Sequence, residues 1–477
     1  MQHTQRLLVN QGLQIKHFYS PIMQPYGGWA LFNEFGYNKH YLPTFLKQAG
    51  YSTRYVGKLM NDHTIANFDQ IPPEDFDESD FLLDPNTYNY WNASFSHNSE
   101  PVEFHPGEYS TDVIRDKAVK LIEHASQNQE QPFFVGIAPI APHSHINAAT
   151  HKTGSFVFEA PESAPRHRHL FNDVRLDMSR ESFNPKRSSG ASWVRQLARL
   201  NQTNLDYITQ FYQQRLRALQ AVDELVEAVV TRLDQLDQLD NTFIFYTSDN
   251  GFDANAGHRR QPGKTLPYEE DIRVPFVVRG PGVPKGQMDS SSVYSIVDLG
   301  ATILQLAGAS SDYNHDGDTI PLTSSQRQSP RKQHHLSEYW VEGVEEGRFS
   351  SGQRRVTQKY RTVRVVEDDG KINLAYAVWC TGERELYDMS TDPDQMHNLL
   401  VGETSKTVFT ADEVKAIETR LDGLLLRLKD CIGEECRQPW KSIFPSDQVS
   451  SLKQAVDIKF DEYFAGLPRV AYQVSHA

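Results

Sequence analysis

Residues 242–251 read TFIFYTSDNG, and this stretch decides the expected fold and the expected position of the functional site. Its first six residues form a short run of β-branched and aromatic side chains, which is typical of a strand buried in a parallel sheet. Open α/β sheets bind their ligands just beyond the carboxyl ends of such strands. We therefore expect Asp249 and Asn250, which follow the strand, to lie at the functional site.

The side chains around this strand end point to chemistry at a charged group. The carboxylate of Asp249 beside the amide oxygen of Asn250 suits a hard cation such as Ca²⁺ or Mg²⁺. His258 and Lys264 follow shortly afterwards and would neutralise a tetrahedral oxyanion held on that metal. An Asp-Asn-Gly sequence also forms tight turns, so the motif by itself leaves a plain turn as the alternative.

A longer segment around this motif resembles a known family. Residues 248–284 read SDNGFDANAGHRRQPGKTLPYEEDIRVPFVVRGPGVP and closely resemble the metal- and substrate-binding segment of the sulfatases, which hydrolyse sulfate esters and belong to the alkaline phosphatase superfamily. Other matching motifs occur in order along most of the chain: Leu42-Pro43 with residues 49–51 (AGY) and Gly57-Lys58, residues 138–143 (APIAPH), residues 295–308 (SIVDLGATILQLAG) and residues 385–399 (ELYDMSTDPDQMHNL). The chain is most similar to secreted fungal arylsulfatases and N-acetylglucosamine-6-sulfatases, which share Asn61 after Lys58 and residues 200–204 (LNQTN).

The resemblance implies a fold that the sequence pattern also favours. It implies an α/β core at residues 1–342, with a large mixed, mostly parallel sheet flanked by helices as in alkaline phosphatase, and a smaller α+β subdomain at residues 343–477. Apolar spacing predicts helices and strands within both parts. The expected helices are residues 42–49, 111–125, 212–239 and 411–428, and the expected strands are residues 133–140, 242–247, 360–366 and 372–379. Residues 156–192 are expected to be a long loop.

The resemblance also implies roles for individual side chains and a class of substrate. The residues with expected catalytic roles are Lys58, His143, His258 and Lys264; Lys58, His143 and Lys264 are also expected to bind substrate, and Asp249 and Asn250 to ligate Ca²⁺ or Mg²⁺. The expected reaction is hydrolysis of a sulfuric ester on a small molecule or glycan. Members of the family use a formylglycine, made from a cysteine, as the nucleophile.

Two features of a sulfatase active site do not occur in this sequence. Sulfatases carry a pair of aspartates after their first strand, followed by a Cys-x-Pro-Ser-Arg motif that supplies the formylglycine. The three cysteines are Cys380, Cys431 and Cys436, and none is followed by Pro-Ser-Arg or Ala-Ser-Arg. The chain runs from Ser20 almost directly to Pro25, where the motif would lie, and it begins with residues that resemble the helix after the first strand. We therefore expect an incomplete metal site and no hydrolysis by the chain as it stands.

Three interpretations account for this combination. In the first, the chain derives from an active arylsulfatase whose amino-terminal exons are mis-assigned or spliced out. In the second, it is an inactive relative that binds sulfated or phosphorylated ligands through Lys58, His143 and Lys264. The third, a phosphoesterase of the same superfamily, is disfavoured because no Ser or Thr nucleophile after an Asp is recognisable. The first is the simplest, because matching motifs lie on both sides of the gap.

Composition limits the partners and the compartment. The chain has 477 residues and a net charge of −14, which argues against a nucleic-acid-binding surface. No apolar run is long enough to span a bilayer, and Met1 is not followed by a signal peptide.

Cys431 and Cys436 are close enough to favour a disulfide over a metal site. Resemblance implies a secreted or lysosomal/vacuolar glycoprotein, with acceptor sites at Asn92 and Asn201. The oligomeric state is left open.

The first interpretation predicts a coding segment inside the gene. Genomic DNA between the codons for Ser20 and Pro25 should encode an in-frame Cys-x-Pro-Ser-Arg motif, because the flanking motifs match the family on both sides. Sequencing this interval in genomic DNA and in transcripts provides the measurement. Codons for residues 20–25 that run without interruption in the genome, with no such motif between them, would instead support the inactive relative.

Overall fold

The computed structural model describes residues 1–21, 28–146, 157–187, 189–309, 314–328, 332–341, 345–349, 359–402, 406–444 and 449–472. The strands are β1 Leu13–Tyr19, β2 Ser52–Gly57, β3 Glu78–Leu82, β4 Asn92–His97, β5 Glu103–Pro106, β6 Phe133–Ala138, β7 His145–Ile146, β8 Phe158–Glu159, β9 Ile244–Tyr246, β10 Val277–Arg279, β11 Gln287–Ser295, β12 His334–Tyr339, β13 Tyr360–Glu367, β14 Ile372–Trp379 and β15 Arg384–Asp388. The α-helices are α1 Gln2–Thr4, α2 Gly28–Glu34, α3 Leu42–Gln48, α4 Ser110–Ala125, α5 Ser192–Arg195, α6 Gln202–Gln235, α7 Glu269–Ile272, α8 Ile296–Leu306, α9 Ala411–Leu428, α10 Glu434–Arg437, α11 Pro439–Ile443, α12 Leu452–Ala455 and α13 Asp461–Ala465.

The strands of the α/β core form two mixed sheets. One has the order β5-β4-β3-β2-β6, in which β2 runs parallel to both β3 and β6. The other has the order β11-β1-β10-β9, in which β1 is parallel to β11 and antiparallel to β10, and β10 is antiparallel to β9. The predicted mixed α/β class is confirmed. Within the described residues, however, β6 and β9 are each the edge of a separate sheet.

One layer of helices covers the edges of both sheets. Helix α6 begins at Gln202, earlier than apolar spacing predicts, because the side chain of Asn201 accepts the Asn204 N–H in a capping box. Helices α4 and α6 share one hydrophobic cluster, which the apolar side chains of β6 and β9 join. None of the described helices is both long enough and apolar enough to cross a membrane.

The carboxy-terminal part is built on an antiparallel sheet of order β12-β13-β14-β15. Helix α9 buries Leu421, Leu424 and Leu425 in the cluster that also contains side chains of this sheet. The disulfide between Cys431 and Cys436 confirms the pairing that their spacing favours. Strand β12 lies before residue 342, so this sheet takes its first strand from the region expected to belong to the core. Residue 342 itself lies outside the described residues, and the domain boundary stays a prediction.

A buried ion pair joins the two parts of the chain. The Arg364 side chain on β13 is 1% exposed, and its Nε lies 2.7 Å from Oε1 of Glu269, the first residue of α7. The same Nε donates to the hydroxyl of Tyr19 at the end of β1, at 3.2 Å. Arg364 also donates to the side chain of Asn373 and to the carbonyl of Leu374. The pair therefore ties α7, which follows the predicted functional segment, to the carboxy-terminal sheet.

We predict that Arg364→Met lowers the free energy of unfolding by about 3–5 kcal/mol, because it leaves the Glu269 carboxylate buried without its main partner. Urea unfolding followed by tryptophan fluorescence measures the change. The matched control is Lys371→Met, which removes a lysine that is 80% exposed in an ion pair with Asp368 and should leave the transition unchanged. Equal effects of the two substitutions would contradict the importance of the buried pair.

Candidate active site

The ends of β2 and β6 meet closely at the candidate site. Gly57, the last residue of β2, has a φ of +111°, and a Cβ at this position would lie 2.1 Å from the carbonyl oxygen of Ala138 at the end of β6. Only glycine fits this close approach. The next amide, of Lys58, donates to the same carbonyl at 3.0 Å. The Gly57-Lys58 motif therefore fixes Lys58 beside the end of β6, from which the chain continues to His143.

Tyr88 connects Lys58 with His143. The Lys58 Nζ lies 5.3 Å from the centre of the Tyr88 ring, and the ring centres of Tyr88 and His143 are 4.4 Å apart. The Tyr88 hydroxyl donates to Oδ1 of Asn61 at 2.9 Å. Sequence reasoning missed Tyr88, because it lies in the irregular segment between β3 and β4 and belongs to none of the recognised motifs.

His143 is a neutral imidazole in this environment. Burial lowers its pKa well below the usual range, and the positive charges of Lys264 and Lys58 lower it further. Its Nδ1 lies 2.9 Å from the carbonyl oxygen of Ser144, which only accepts hydrogen bonds, so the proton is assigned to Nδ1. Nε2 is consequently the nitrogen with the lone pair, able to accept a hydrogen bond or a proton.

Asp249 completes a group of four interacting side chains. Burial acts to raise the pKa of its carboxyl, but the positive charges of Lys58 and Lys264 outweigh this and hold that pKa below the usual range. The Asn250 N–H donates to Asp249 Oδ1 at 2.9 Å and stabilises the same ionised form. Burial also opposes the charge of Lys58, whereas Tyr88 and Asp249 raise the Lys58 pKa above its ordinary value. We call Lys58, His143, Asp249 and Lys264 the strand-end cluster.

A buried carboxylate holds Lys264 in place. The side chains of Lys264 and Glu346 are each 5% exposed, and Lys264 Nζ lies 3.6 Å from Glu346 Oε1. The other carboxylate oxygen accepts from the Ser144 hydroxyl, next to His143. The Glu346 N–H donates to the Pro262 carbonyl at 2.9 Å, which anchors it to the loop that carries Lys264. No sequence motif indicated Glu346, because it reaches the site from a distant part of the chain.

Arg215 on α6 is a third cation near the cluster. Its Nη1 donates to the Pro142 carbonyl at 2.9 Å, and its guanidinium carbon lies 4.1 Å from the centre of the Phe252 ring. Burial lowers its pKa to about 10, although Glu346, Tyr90 and Asp249 oppose the shift. Arg215 therefore stays charged at neutral pH. Helical spacing identified α6, but it cannot show which polar residue of the helix faces the site.

The structure does not bring His258 to the strand-end cluster. Its ring is fully buried and stacks on Tyr268, with centres 4.1 Å apart. Burial, with the charges of Arg260 and Arg180, lowers its pKa to about 3. A catalytic role for His258 stays a prediction from sequence, and the observed contacts are those of a packed side chain.

Asp249 and Asn250 by themselves do not fit a resident Ca²⁺ or Mg²⁺. These cations take about six or more oxygen ligands. Within the described part of the chain, no group of three or more His, Cys, Asp or Glu side chains is placed to hold a metal ion. The charges of Lys58 and Lys264 act on the Asp249 carboxylate and oppose a further cation there. Metal ligation by Asp249 and Asn250 therefore stays a prediction. A complete site would need further oxygen ligands in addition to these two residues.

Comparisons with known proteins agree on one family. A family model described as sulfatase matches residues 11–309, and one described as the carboxy-terminal part of N-sulphoglucosamine sulphohydrolase matches residues 257–422. An arylsulfatase of Volvox carteri is 36% identical over 482 residues, covering 95% of this chain and 71% of that protein. The N-acetylglucosamine-6-sulfatase of Bos taurus is 28% identical, covering 83% and 70%. A solved structure of a protein with its substrate D-glucosamine-2-N,6-O-disulfate shares the fold, with a TM-score of 0.64, 20% identity and 94% of both chains covered.

We predict weak binding of Ca²⁺ and Mg²⁺, with a Kd of about 10⁻³ M or weaker, because Asp249 and Asn250 supply too few oxygen ligands. Isothermal titration calorimetry of the 477-residue polypeptide measures it, with Asp249→Asn as the control that removes the carboxylate. A micromolar Kd that Asp249→Asn abolishes would mean that a complete site is assembled from other residues.

Proposed function

Because the chain belongs to the sulfatase family, whose members are sulfuric ester hydrolases, we propose that its strand-end cluster binds the sulfate group of a sulfuric ester. The observation that carries this proposal is that the charges of Lys58, after β2, and Lys264, on the loop after β9, both act on the neutral imidazole of His143, after β6. Two ammonium groups at one place suit a tetrahedral anion that carries a single negative charge. The arylsulfatase and N-acetylglucosamine-6-sulfatase relatives support an aryl or sugar sulfate as the ligand.

Each side chain of the site has a definite part in this proposal. Lys58 and Lys264 contact the sulfuryl oxygens, and Arg215 adds positive charge from α6. The anion in turn stabilises the protonated form of His143, so its pKa rises on binding. The affinity for the sulfate group is therefore independent of pH above neutrality and increases as the pH falls and His143 becomes protonated. Asp249 and Glu346 oppose the bound anion, because both carboxylates lie close to the same lysines.

Hydrolysis requires a nucleophile that this sequence does not contain. In sulfatases the formylglycine supplies it, and no cysteine here lies in the Cys-x-Pro-Ser-Arg motif. Removing an activated nucleophile alone costs on the order of 10⁶ in rate. This polypeptide is therefore proposed to bind sulfate esters without turning them over. The alternative, an inactive relative that binds sulfated or phosphorylated ligands, uses the same cations, and a phosphorylated ligand differs in the charge of its anion.

The compartment and the glycan chemistry are part of the same proposal. A disulfide such as Cys431–Cys436 persists in oxidising compartments, which supports a secretory or lysosomal/vacuolar route. Asn92 and Asn201 both lie on the surface, where N-glycosylation takes place. Both features concern the compartment, and the N-acetylglucosamine-6-sulfatase relatives support a sulfated glycan outside the cytosol as the ligand class.

We predict that nitrophenyl sulfate binds to the polypeptide but releases no nitrophenol above background. Lys264→Ala should weaken binding about tenfold or more, because it removes a charge-assisted hydrogen bond to the sulfate. Glu346→Gln should have the opposite effect and tighten binding, because it removes a buried carboxylate 3.6 Å from the same lysine. Calorimetry measures the affinities, and absorbance of nitrophenolate measures turnover.

The exposed Lys285 provides the matched control, since Lys285→Ala removes the same charge away from the site and should leave the affinity unchanged. Weakening by Lys285→Ala equal to that by Lys264→Ala would mean that only the overall charge matters. Turnover that Lys264→Ala abolishes would contradict the proposal, because chemistry would then proceed without the formylglycine. Nitrophenyl phosphate, tested in parallel, distinguishes the two anions.

A further inference from the structure

A basic and an aromatic side chain are exposed close to the strand-end cluster. Glu346 is buried and lies beside Lys264, and Gly347 after it is buried as well. The next two residues, Arg348 and Phe349, are exposed. Because one residue spans at most about 3.6 Å, the backbone of Phe349 lies within about 11 Å of that of Glu346. We call Arg348 and Phe349 the rim pair.

Tyr207 on α6 fixes the backbone of the rim pair. Gly347 has a φ of +95°, and a Cβ there would lie 3.1 Å from the Tyr207 hydroxyl, so glycine is needed at this contact. The Arg348 N–H donates to the same hydroxyl at 3.0 Å. The Arg348 guanidinium carbon lies 5.9 Å from the centre of the Tyr207 ring, and the Phe349 ring meets that ring edge-on with centres 5.3 Å apart. The rim pair is therefore held in place before any ligand binds, which reduces the entropy lost on binding.

Helix α6 places the rim pair on the same side as the site. Tyr207, Phe211 and Arg215 recur every four residues, so they lie along one face of the helix. The Phe211 ring packs on Tyr207 and stacks on Phe252, over which the Arg215 guanidinium also lies. Tyr207 and Arg215 are about 12 Å apart along the helix axis. This distance exceeds the reach of one sugar at the strand-end cluster and is spanned by a short chain of sugars.

A second element also connects the rim pair with the site. Arg348 Nη2 lies 3.8 Å from Glu159 Oε1, and the two side chains are 68% and 52% exposed. Glu159 on β8 pairs with His145 on β7, two residues after His143. An exposed ion pair as long as this one contributes little to stability. An anionic group of a ligand can therefore replace Glu159 at Arg348 with little loss of free energy.

We propose that the rim pair binds a second sugar residue of the ligand, so that the ligand is an acidic oligosaccharide and not a single sulfated unit. The Phe349 ring packs against the C–H bonds on one face of that sugar, because the face of an aromatic ring is negative and such bonds carry partial positive charge. The Arg348 guanidinium pairs with an anionic group of the same sugar, a carboxylate or a sulfate, whose oxygens match its two parallel donors. This inference rests on the proposed binding of a sulfate group by the strand-end cluster.

Three synthetic tetrasaccharides test the proposal, each with a 6-O-sulfate on the N-acetylglucosamine at its non-reducing end. The neighbouring sugar is glucuronate in the first, has its carboxylate reduced to a hydroxymethyl group in the second, and carries a sulfate on that hydroxymethyl group in the third. Calorimetry should show at least one of the two charged ligands binding about tenfold tighter than the reduced one. The reduced ligand should bind about threefold tighter than N-acetylglucosamine 6-sulfate alone.

Two variants assign these differences to the rim pair. Arg348→Gln should lower the affinity for the charged tetrasaccharides to that for the reduced one, and leave the reduced one and the monosaccharide unchanged. Phe349→Leu keeps an apolar contact with Tyr207 but removes the ring, so it should lower the affinity for the reduced tetrasaccharide to that for the monosaccharide. The matched control Lys371→Gln removes an 80% exposed charge after the β13–β14 turn and should change none of the affinities.

Equal affinity for the monosaccharide and all three tetrasaccharides would overturn the proposal and leave sulfate binding intact. Tighter binding of the tetrasaccharides that survives both Arg348→Gln and Phe349→Leu would overturn it too, because the additional contacts would then lie elsewhere. The same holds if both variants weaken the monosaccharide as much as the tetrasaccharides. Absence of binding by all four sugars and by nitrophenyl sulfate would contradict the proposed sulfate binding itself, and the role of the rim pair with it.

Discussion

The ion pair of Arg260 with Asp271 is the interaction on which the geometry of the site depends. Both side chains are buried, and the two guanidinium nitrogens lie 2.8 and 2.9 Å from the carboxylate oxygens. Asp271 also accepts the Leu266 N–H at 2.7 Å through its side chain and the Gly251 N–H at 2.8 Å through its carbonyl. A Cβ on Gly251 would lie 2.1 Å from the Glu270 carbonyl oxygen. The segment after β9 is thereby closed into a fixed loop, which places Lys264 near enough for its charge to act on Asp249.

A buried pair of this kind stabilises only because its geometry satisfies both charges. Removing two ions from water costs several kcal/mol for each, and the paired hydrogen bonds have to offset that cost. Arg260 gains a further contact with Asp253, whose carboxylate is 3.2 Å away. Burial raises the pKa of Asp253 to about 7, against the effect of Arg260. Neighbouring carboxyl groups therefore compensate Arg260. At the strand-end cluster the cations Lys58, Lys264 and Arg215 outnumber the carboxylates of Asp249 and Glu346, so a ligand meets a net positive charge there.

The sequence pattern predicts the parts of the fold that depend on local spacing. Helix α9 and strand β14 have the predicted bounds, because their apolar periods of 3.6 and 2 residues are continuous. The strand end that carries Asp249 was also predictable, since motif and strand are adjacent in the chain, whereas the strand that ends at Gly57, before Lys58, was not among the expected strands. Tyr88, Arg215 and Glu346 were not, because only the folded chain brings them to the site. Nor does spacing reveal that His258 stacks on Tyr268.

Two different sheets contribute the strand-end cluster, so the cluster depends on the packing that holds the sheets together. Lys58 and His143 follow β2 and β6 of one sheet, and Asp249 follows β9 of the other. Among the described residues no ladder of hydrogen bonds joins β6 to β9, whereas apolar side chains of both strands pack on the cluster shared by α4 and α6. The helical layer therefore sets where Asp249 lies relative to Lys58 and His143. A change in that packing would alter the distances between these charges, and with them the low pKa of the Asp249 carboxyl.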